Sequence, residues 1–309
     1  MSLGVKRPIL HTGLPELGYG RSPLEHAFLG TGDGIFLMIL RFASICVLPL
    51  LLTGCIGSPT SGLDRFQNAL TQGEIAVDDQ PIILNVRGGV NVEVDSFGGS
   101  YKIVTDPSLD GVYIDPVRRS APGHNRRGEA LDDLEKLMYR IELVKSEMGQ
   151  ETLRIRSWSE DDEPHYQAVD FRIRVPNLNS VRVNTDRGRV WVIGNTGPVN
   201  IDTTYGDIRV MTNHPMTGDI SLVTKEASID YRVPGGSTGL FHCVTKGGEV
   251  FSRILAGRVT SSSSTNGPAK FAGQVDGGTN PVDIRTTFGD IRIAVVDDPT
   301  DVGLIIFEP

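Results

Sequence analysis

Apolar and polar residues alternate along most of this chain beyond residue 80, and a period of two predicts short β-strands with one buried face. The pattern is sharpest in VNIDTTYGDIRV from Val199 and VDIRTTFGDIRI from Val282, which are identical at eight of twelve positions. Both place apolar residues at positions 1 and 3, Thr at 5, Gly at 8, and apolar residues at 10 and 12. That arrangement predicts two strands joined at a Thr-x-x-Gly turn.

The template recurs as VRVNTDRGRVWV from Val181, ISLVTKEASIDY from Ile220, FHCVTKGGEVFS from Phe241 and, degraded, TSSSSTNGPAKF from Thr260. Successive starts lie roughly twenty residues apart, as in a solenoid with one coil per repeat. Thr185, Thr203, Thr224, Thr245, Ser264 and Thr286 would then stack as a column of hydroxyls along one corner. Gly188, Gly206, Gly248, Gly267 and Gly289 would form a second column, at a position needing positive φ or close backbone approach. Ala227 breaks that column, so its coil is expected to turn differently. Coils about 4.8 Å apart would build a rod roughly 30 Å tall.

The earlier region is less regular but still reads as β. PIILNVRGGVNVEV from Pro81 fits the template, with Asn85 at the Thr position and Gly88 at the Gly position. Tyr101 to Val104, Val112 to Ile114 and Phe171 to Val175 read as strands, the last closed by Pro176. Tyr139 to Val144 and Thr152 to Trp158 read as a hairpin around Met148-Gly149. One segment breaks the period: RGEALDDLEKLM, Arg127 to Met138, has helical spacing, acids early and Lys136 late.

Before the repeats, an apolar run extends from Ile35 to Ile56. Read from Met38 it gives a short positive start with Arg41, an apolar stretch from Phe42 to Leu52, and small residues at its end. The tetrad Leu52-Thr53-Gly54-Cys55 resembles the lipobox of bacterial lipoproteins. The resemblance implies cleavage before Cys55, a diacylglycerol on its thiol and an acylated amino terminus; several acyl chains anchor where one does not. An uncleaved transmembrane helix and an ordinary secretory signal are the alternatives, and Arg41 and Pro49 weigh against the first. Residues 1–37 contain Pro8, Pro15 and Pro23 and show no periodicity, so they are expected to be untranslated or disordered, with translation starting at Met38. The Gly/Ser/Pro/Thr stretch Gly57 to Gly62 reads as a flexible tether. The expected organisation is a signal peptide at 38–54, a lipidated Cys55 and linker to residue 75, and one β domain over 76–309.

Composition agrees with a turn-rich β protein: 36 Gly and 6% aromatic residues. A net charge of −8 without a long basic run speaks against nucleic-acid binding. Three cysteines are too few for a disulfide framework, and Cys243 reads as a small buried hydrophobe.

Candidate chemistry is sparse. Neither HExxH nor CxxC occurs, and no histidine pair has metal-ligand spacing, so no metal or cofactor is expected. His242 and Cys243 are strand neighbours and point to opposite faces. Asp207 and Asp290 follow turn glycines, with Arg209 and Arg292 two positions later, and read as solvated ion pairs. Three predicted coils separate the two aspartates, which speaks against a catalytic pair. Glu160-Asp161-Asp162-Glu163 lacks the alternating ligand loop of a calcium site. Gly235-Gly236-Ser237-Thr238-Gly239 matches GxSxG, but a nucleophile elbow needs a strand before it and a helix after it; Pro234 and a strand-like segment stand there instead.

FRIRVPNL, followed by repeated TxxGDIxV-like units, resembles a family of candidate bacterial adhesins, an envelope domain of unknown function. The likeness spans residues 80–296 and is clearest over 169–293. It implies a right-handed parallel β-solenoid carried on lipoproteins or membrane proteins, and it supplies no catalytic residue. The expectation is an all-β, non-enzymatic display domain in the cell envelope, held to a membrane by lipid and binding an envelope protein or polysaccharide. A polysaccharide-active β-helix enzyme and a self-assembling scaffold are the alternatives; the apolar run Leu304 to Phe307 would cap the last coil.

Overall fold

The computed structural model describes residues 74–301 apart from 124, 264 and 265. The lipobox, Cys55, the tether and the Leu304 to Phe307 run lie outside the described residues. Two short strands open the fold, β1 (Ile75–Asp78) and β2 (Ile82–Asn85), followed by β3 (Val90–Ser96), β4 (Tyr101–Thr105) and β5 (Gly111–Ser120). Helix α1 (Arg127–Lys136) leads into β6 (Leu137–Lys145), β7 (Glu151–Ser159) and β8 (Gln167–Val175). Next come β9 (Leu178–Arg187), β10 (Val190–Ile193), β11 (Val199–Tyr205), β12 (Ile208–Met211), β13 (Ile220–Val223) and β14 (Ile229–Val233). The last six are β15 (Gly239–Val244), β16 (Val250–Ile254), β17 (Val259–Ser262), β18 (Lys270–Val275), β19 (Pro281–Arg285) and β20 (Ile291–Val295).

These strands form two ten-stranded sheets. From β9 on, the first strand of each template copy joins one sheet and the second joins the other. Template positions 1 and 3 face inward from one sheet and positions 10 and 12 from the other. Val199, Ile201, Ile208 and Val210 are buried in this way, as are Ile220, Leu222, Ile229 and Tyr231. Burying each such side chain stabilises the fold by about 1.5–3 kcal/mol before conformational entropy is subtracted. One strand from each sheet therefore makes a rung, and neighbouring rungs pair in parallel: β9 with β11, β11 with β13, β10 with β12, β12 with β14.

The expected uninterrupted parallel stack is not what forms, because both sheets are mixed. At one end β5 pairs antiparallel with β8 and β6 with β7; at the other, β18 pairs antiparallel with β15 and β17 with β18. The repeat from Thr260 is consequently not a coil: its described residues begin in the exposed strand β17 and end in β18, both in the same sheet, and a Cβ at Gly267 would meet nothing within 4 Å. Nor is the stretch from Pro81 a coil, since β2 pairs antiparallel with β5. The true early rung is β3 with β4, carrying Val92, Val94, Ser96, Gly99, Tyr101 and Ile103 at the template positions; serine in place of threonine concealed it.

Spatial order departs from chain order at both ends. The rung β7/β8 lies outside β3/β4, and the last rung, β19/β20, is inserted between β13/β14 and β15/β16. The helix ends two residues earlier than its periodicity suggests, because Leu137 and Met138 belong to β6. Ala130 and Leu134 form its buried side, while Asp133 accepts a hydrogen bond from the Ser120 hydroxyl at 2.7 Å.

Candidate functional site

The Thr-x-x-Gly turns stack on one another where the two sheets meet. A Cβ at Gly206 would stand 1.9 Å from the Gly188 carbonyl oxygen, one at Gly188 would stand 2.0 Å from that of Gly99, and one at Gly289 would stand 2.1 Å from that of Ala227. Gly248 meets the Gly289 oxygen at 2.1 Å in the same sense. Close approach, shared by all four, is therefore the cause of the glycine column; positive φ occurs only at Gly188 and Gly289. Glycine at these positions lets each turn pack directly on the next, and Ala227 adds only a methyl, so the corner carries little side-chain bulk.

The threonines lie on the inner side of the same corner and are buried. Their hydroxyls do not bond one another as a ladder. Three of the five instead reach the carbonyl of the glycine-column residue one rung away: Thr224 donates to Gly206 O (3.2 Å), Thr286 to Ala227 O (2.8 Å) and Thr245 to Gly289 O (2.8 Å). Thr185 donates to Arg187 O within its own turn (3.1 Å), and the Thr203 hydroxyl has no partner. Ser264 lies outside the described residues. The turn with Ala227 remains in register with its neighbours, since Glu226 N donates to Thr204 O and Phe288 N to Lys225 O.

A trough at this corner encloses about 520 Å³ and is open to solvent. Gly188, Gly206, Ala227 and Gly289 form its floor; Arg189, Asp207, Glu226 and Ser228 supply polar groups; and Tyr205 and Phe288 stand beside it. Both rings are exposed, at 47% and 60%, and both occupy template position 7. Arg187, Glu226 and Gly247 occupy that position in other rungs, so the fold does not require an aromatic ring there. Sequence comparison of the repeats could have revealed the pair, because Tyr205 and Phe288 are aligned in the two best copies.

The aspartates after the glycines do more than pair with arginine. Asp207 Oδ1 accepts the Ser228 N–H (3.1 Å) and Asp290 Oδ1 the Glu249 N–H (3.1 Å), and Asp170, which follows Val169 instead of a glycine, accepts the Ser100 N–H in the same way (2.7 Å). Each thus fastens the neighbouring rung. Asp290 also lies 3.9 Å from Arg292, whereas Arg209 turns to Asp230 (3.5 Å) and lies over the Trp191 ring, 4.9 Å from its centroid. The expected separation of Asp207 from Asp290 is overturned: inserting β19/β20 next to β13/β14 leaves one rung between them.

The remaining candidates have structural roles. Ser237, in the turn between β14 and β15, is buried, and its hydroxyl accepts the N–H of Met216 from the connection between β12 and β13 at 3.0 Å. His242 faces outward to Asp283 (3.2 Å), while Cys243 is buried and its thiol pKa is pushed up by burial. Asp161 binds Lys136 at 2.9 Å, and the hydrogen bond from that ammonium lowers the carboxyl pKa. Among the described residues no group of three His, Cys, Asp or Glu side chains could hold a metal ion, and no helix is long and apolar enough to cross a membrane.

Stacked rungs with a surface trough define an all-β protein, and the comparisons with known proteins fall at that level. No family model and no curated protein matches the chain. A candidate cell adhesion protein from Clostridium sporogenes is similar over 71% of this chain and 99% of its own, at 9% identity and a TM-score of 0.47. A candidate adhesin from Bacteroides fragilis is similar over 71% of this chain and 96% of its own, at 10% identity and a TM-score of 0.25. Likeness at this distance assigns neither ligand nor activity.

Proposed function

We propose that this chain is a cell-envelope lipoprotein, anchored through Cys55, whose all-β domain is a non-enzymatic, adhesin-like interaction module, and that its parallel centre is a right-handed β-solenoid. The observation that carries the interaction role is the trough: a floor of three glycines and Ala227, beside two exposed rings that packing does not demand. Isolated exposed hydrophobes are ordinary, but two at one template position beside one depression form a ligand-sized surface. The anchor rests on Leu52 to Cys55 at the end of an apolar run and before a flexible tether. Metabolic labelling with a clickable fatty acid tests it: the wild type should be labelled and membrane-retained, and Cys55→Ala unlabelled and released. Equal labelling of both would refute the anchor. For the trough, material captured from native envelope by the wild type should be lost with Tyr205→Ala/Phe288→Ala.

A second reading, a polysaccharide hydrolase, draws on Asp207 and Asp290. Two strand spacings put their backbones about 9.6 Å apart, near the roughly 6.5–9.5 Å between the carboxyl groups of inverting glycosidases. Both aspartates already hold a backbone N–H, which gives them a structural role instead. Release of reducing ends from envelope polysaccharide, abolished by Asp290→Asn, would establish the hydrolase; the interaction reading expects no release.

A further inference from the structure

We infer that the trough takes an extended, β-1,4-linked glycan chain lying across the stacked turns, an assignment that rests on the trough being the ligand site. Tyr205 and Phe288 belong to turns two rungs apart, because the turn holding Glu226 is hydrogen-bonded to Thr204 on one side and, through Lys225 O, to Thr287 and Phe288 on the other. Two strand spacings set the backbones that carry the rings about 9.6 Å apart along the stack, close to the length of a disaccharide in an extended glycan. Aromatic side chains present flat apolar faces, and the axial C–H faces of a pyranose are their complement. Rings carried at this interval on one side of a trough suit a polymer whose alternate sugars show that side the same face. A two-fold ribbon has this property, and diequatorial 1,4 linkages generate it. An α-1,4 chain curls and loses the register.

The polar lining has matching chemistry. Glu226 lies between the two ring positions, and Asp207 lies beside the trough with one oxygen held by Ser228 N–H and the other 3.9 Å from Arg189. The carboxylate oxygens accept hydrogen bonds from sugar hydroxyls, and the Arg189 guanidinium donates to ring or hydroxyl oxygens. A floor of three glycines and Ala227 carries no side chain larger than a methyl, so a sugar edge can come close to the backbone. A chain in this trough is bound through its faces and hydroxyls without being enclosed, which suits a long polymer rather than its end.

The test is calorimetric titration of the full-length chain with chitohexaose, cellohexaose, maltohexaose and N-acetylglucosamine. At least one β-1,4 hexaose should bind, with maltohexaose and the monosaccharide much weaker. Tyr205→Ala and Phe288→Ala should each weaken binding by about tenfold, and the double variant should abolish it. Both side chains are exposed, so an unchanged thermal transition would show that the variants remain folded. Failure of both β-1,4 hexaoses to bind, or full binding by the double variant, overturns the assignment. If the double variant still loses its capture of native envelope material while neither hexaose binds, the trough is a ligand site for another chemistry and only the glycan falls. If capture also persists in the double variant, both fall.

Discussion

Threonine and glycine share each turn but meet different demands, and substitutions separate them. Gly206→Ala would force a methyl to 1.9 Å from a carbonyl oxygen, so a loss of roughly 3 kcal/mol is expected in denaturant unfolding. Thr224→Val removes a buried hydrogen bond and should cost about 1 kcal/mol. Thr203→Val removes a buried hydroxyl that has no partner and should cost clearly less; an equal cost at both positions would contradict the hydrogen-bond assignment. Tyr101 makes a related point through pH. Burial pushes its phenol up to about 12, among the Ser96, Ser157 and Thr185 hydroxyls, with no hydrogen bond of its own. The unfolded chain releases that proton near pH 10, so between about 10 and 12 the folded state holds more protons and stability falls as pH rises. Tyr139, also raised to about 12 by burial first and Asp79 second, adds to the same decline. Tyr101→Phe should flatten the alkaline limb of the stability curve; an unchanged slope would mean that the phenol is solvated.

At the scale of elements, alternation and the Thr-x-x-Gly template placed the paired strands of the five clear copies, but they also assigned coils from Pro81 and Thr260 that do not form. Rung order was not legible, because every rung offers the same apolar positions and the same turn. Nothing local in VDIRTTFGDIRI says that it pairs with both β13 and β15. The template likewise could not show that residues 259–275 fold back antiparallel, or that Ser96 stands for threonine. The misplacement of Asp290 relative to Asp207 followed directly from assuming chain order. The insertion has a mechanical consequence. Since β19 and β20 are bonded on both sides, removing residues 280–309 should detach β15/β16 from the stack as well as deleting one rung. Hydrogen exchange should then show protection lost over β16, residues 250–254, which pairs with β20, while β15 keeps its antiparallel pairing with β18. Retained protection of β16 would indicate that β15/β16 re-docks onto β13/β14, as in a sequentially built stack.

For the whole molecule, the proposed function divides the chain into an address and a display. The proposed address, Cys55, rests on the sequence alone and lies outside the described residues. The proposed display is the corner, whose glycines recur in the repeats and whose rings are aligned in the two best copies, although only the stacking of the turns sets those rings beside one trough. Hydroxyl-radical footprinting of the full chain with native envelope polysaccharide tests this division most directly. Tyr205 and Phe288 should lose most of their oxidation, while the equally exposed Trp158 and Tyr166 keep theirs. Protection of Trp158 or Tyr166 with Tyr205 and Phe288 unchanged would place the contact elsewhere and contradict the trough as the binding site.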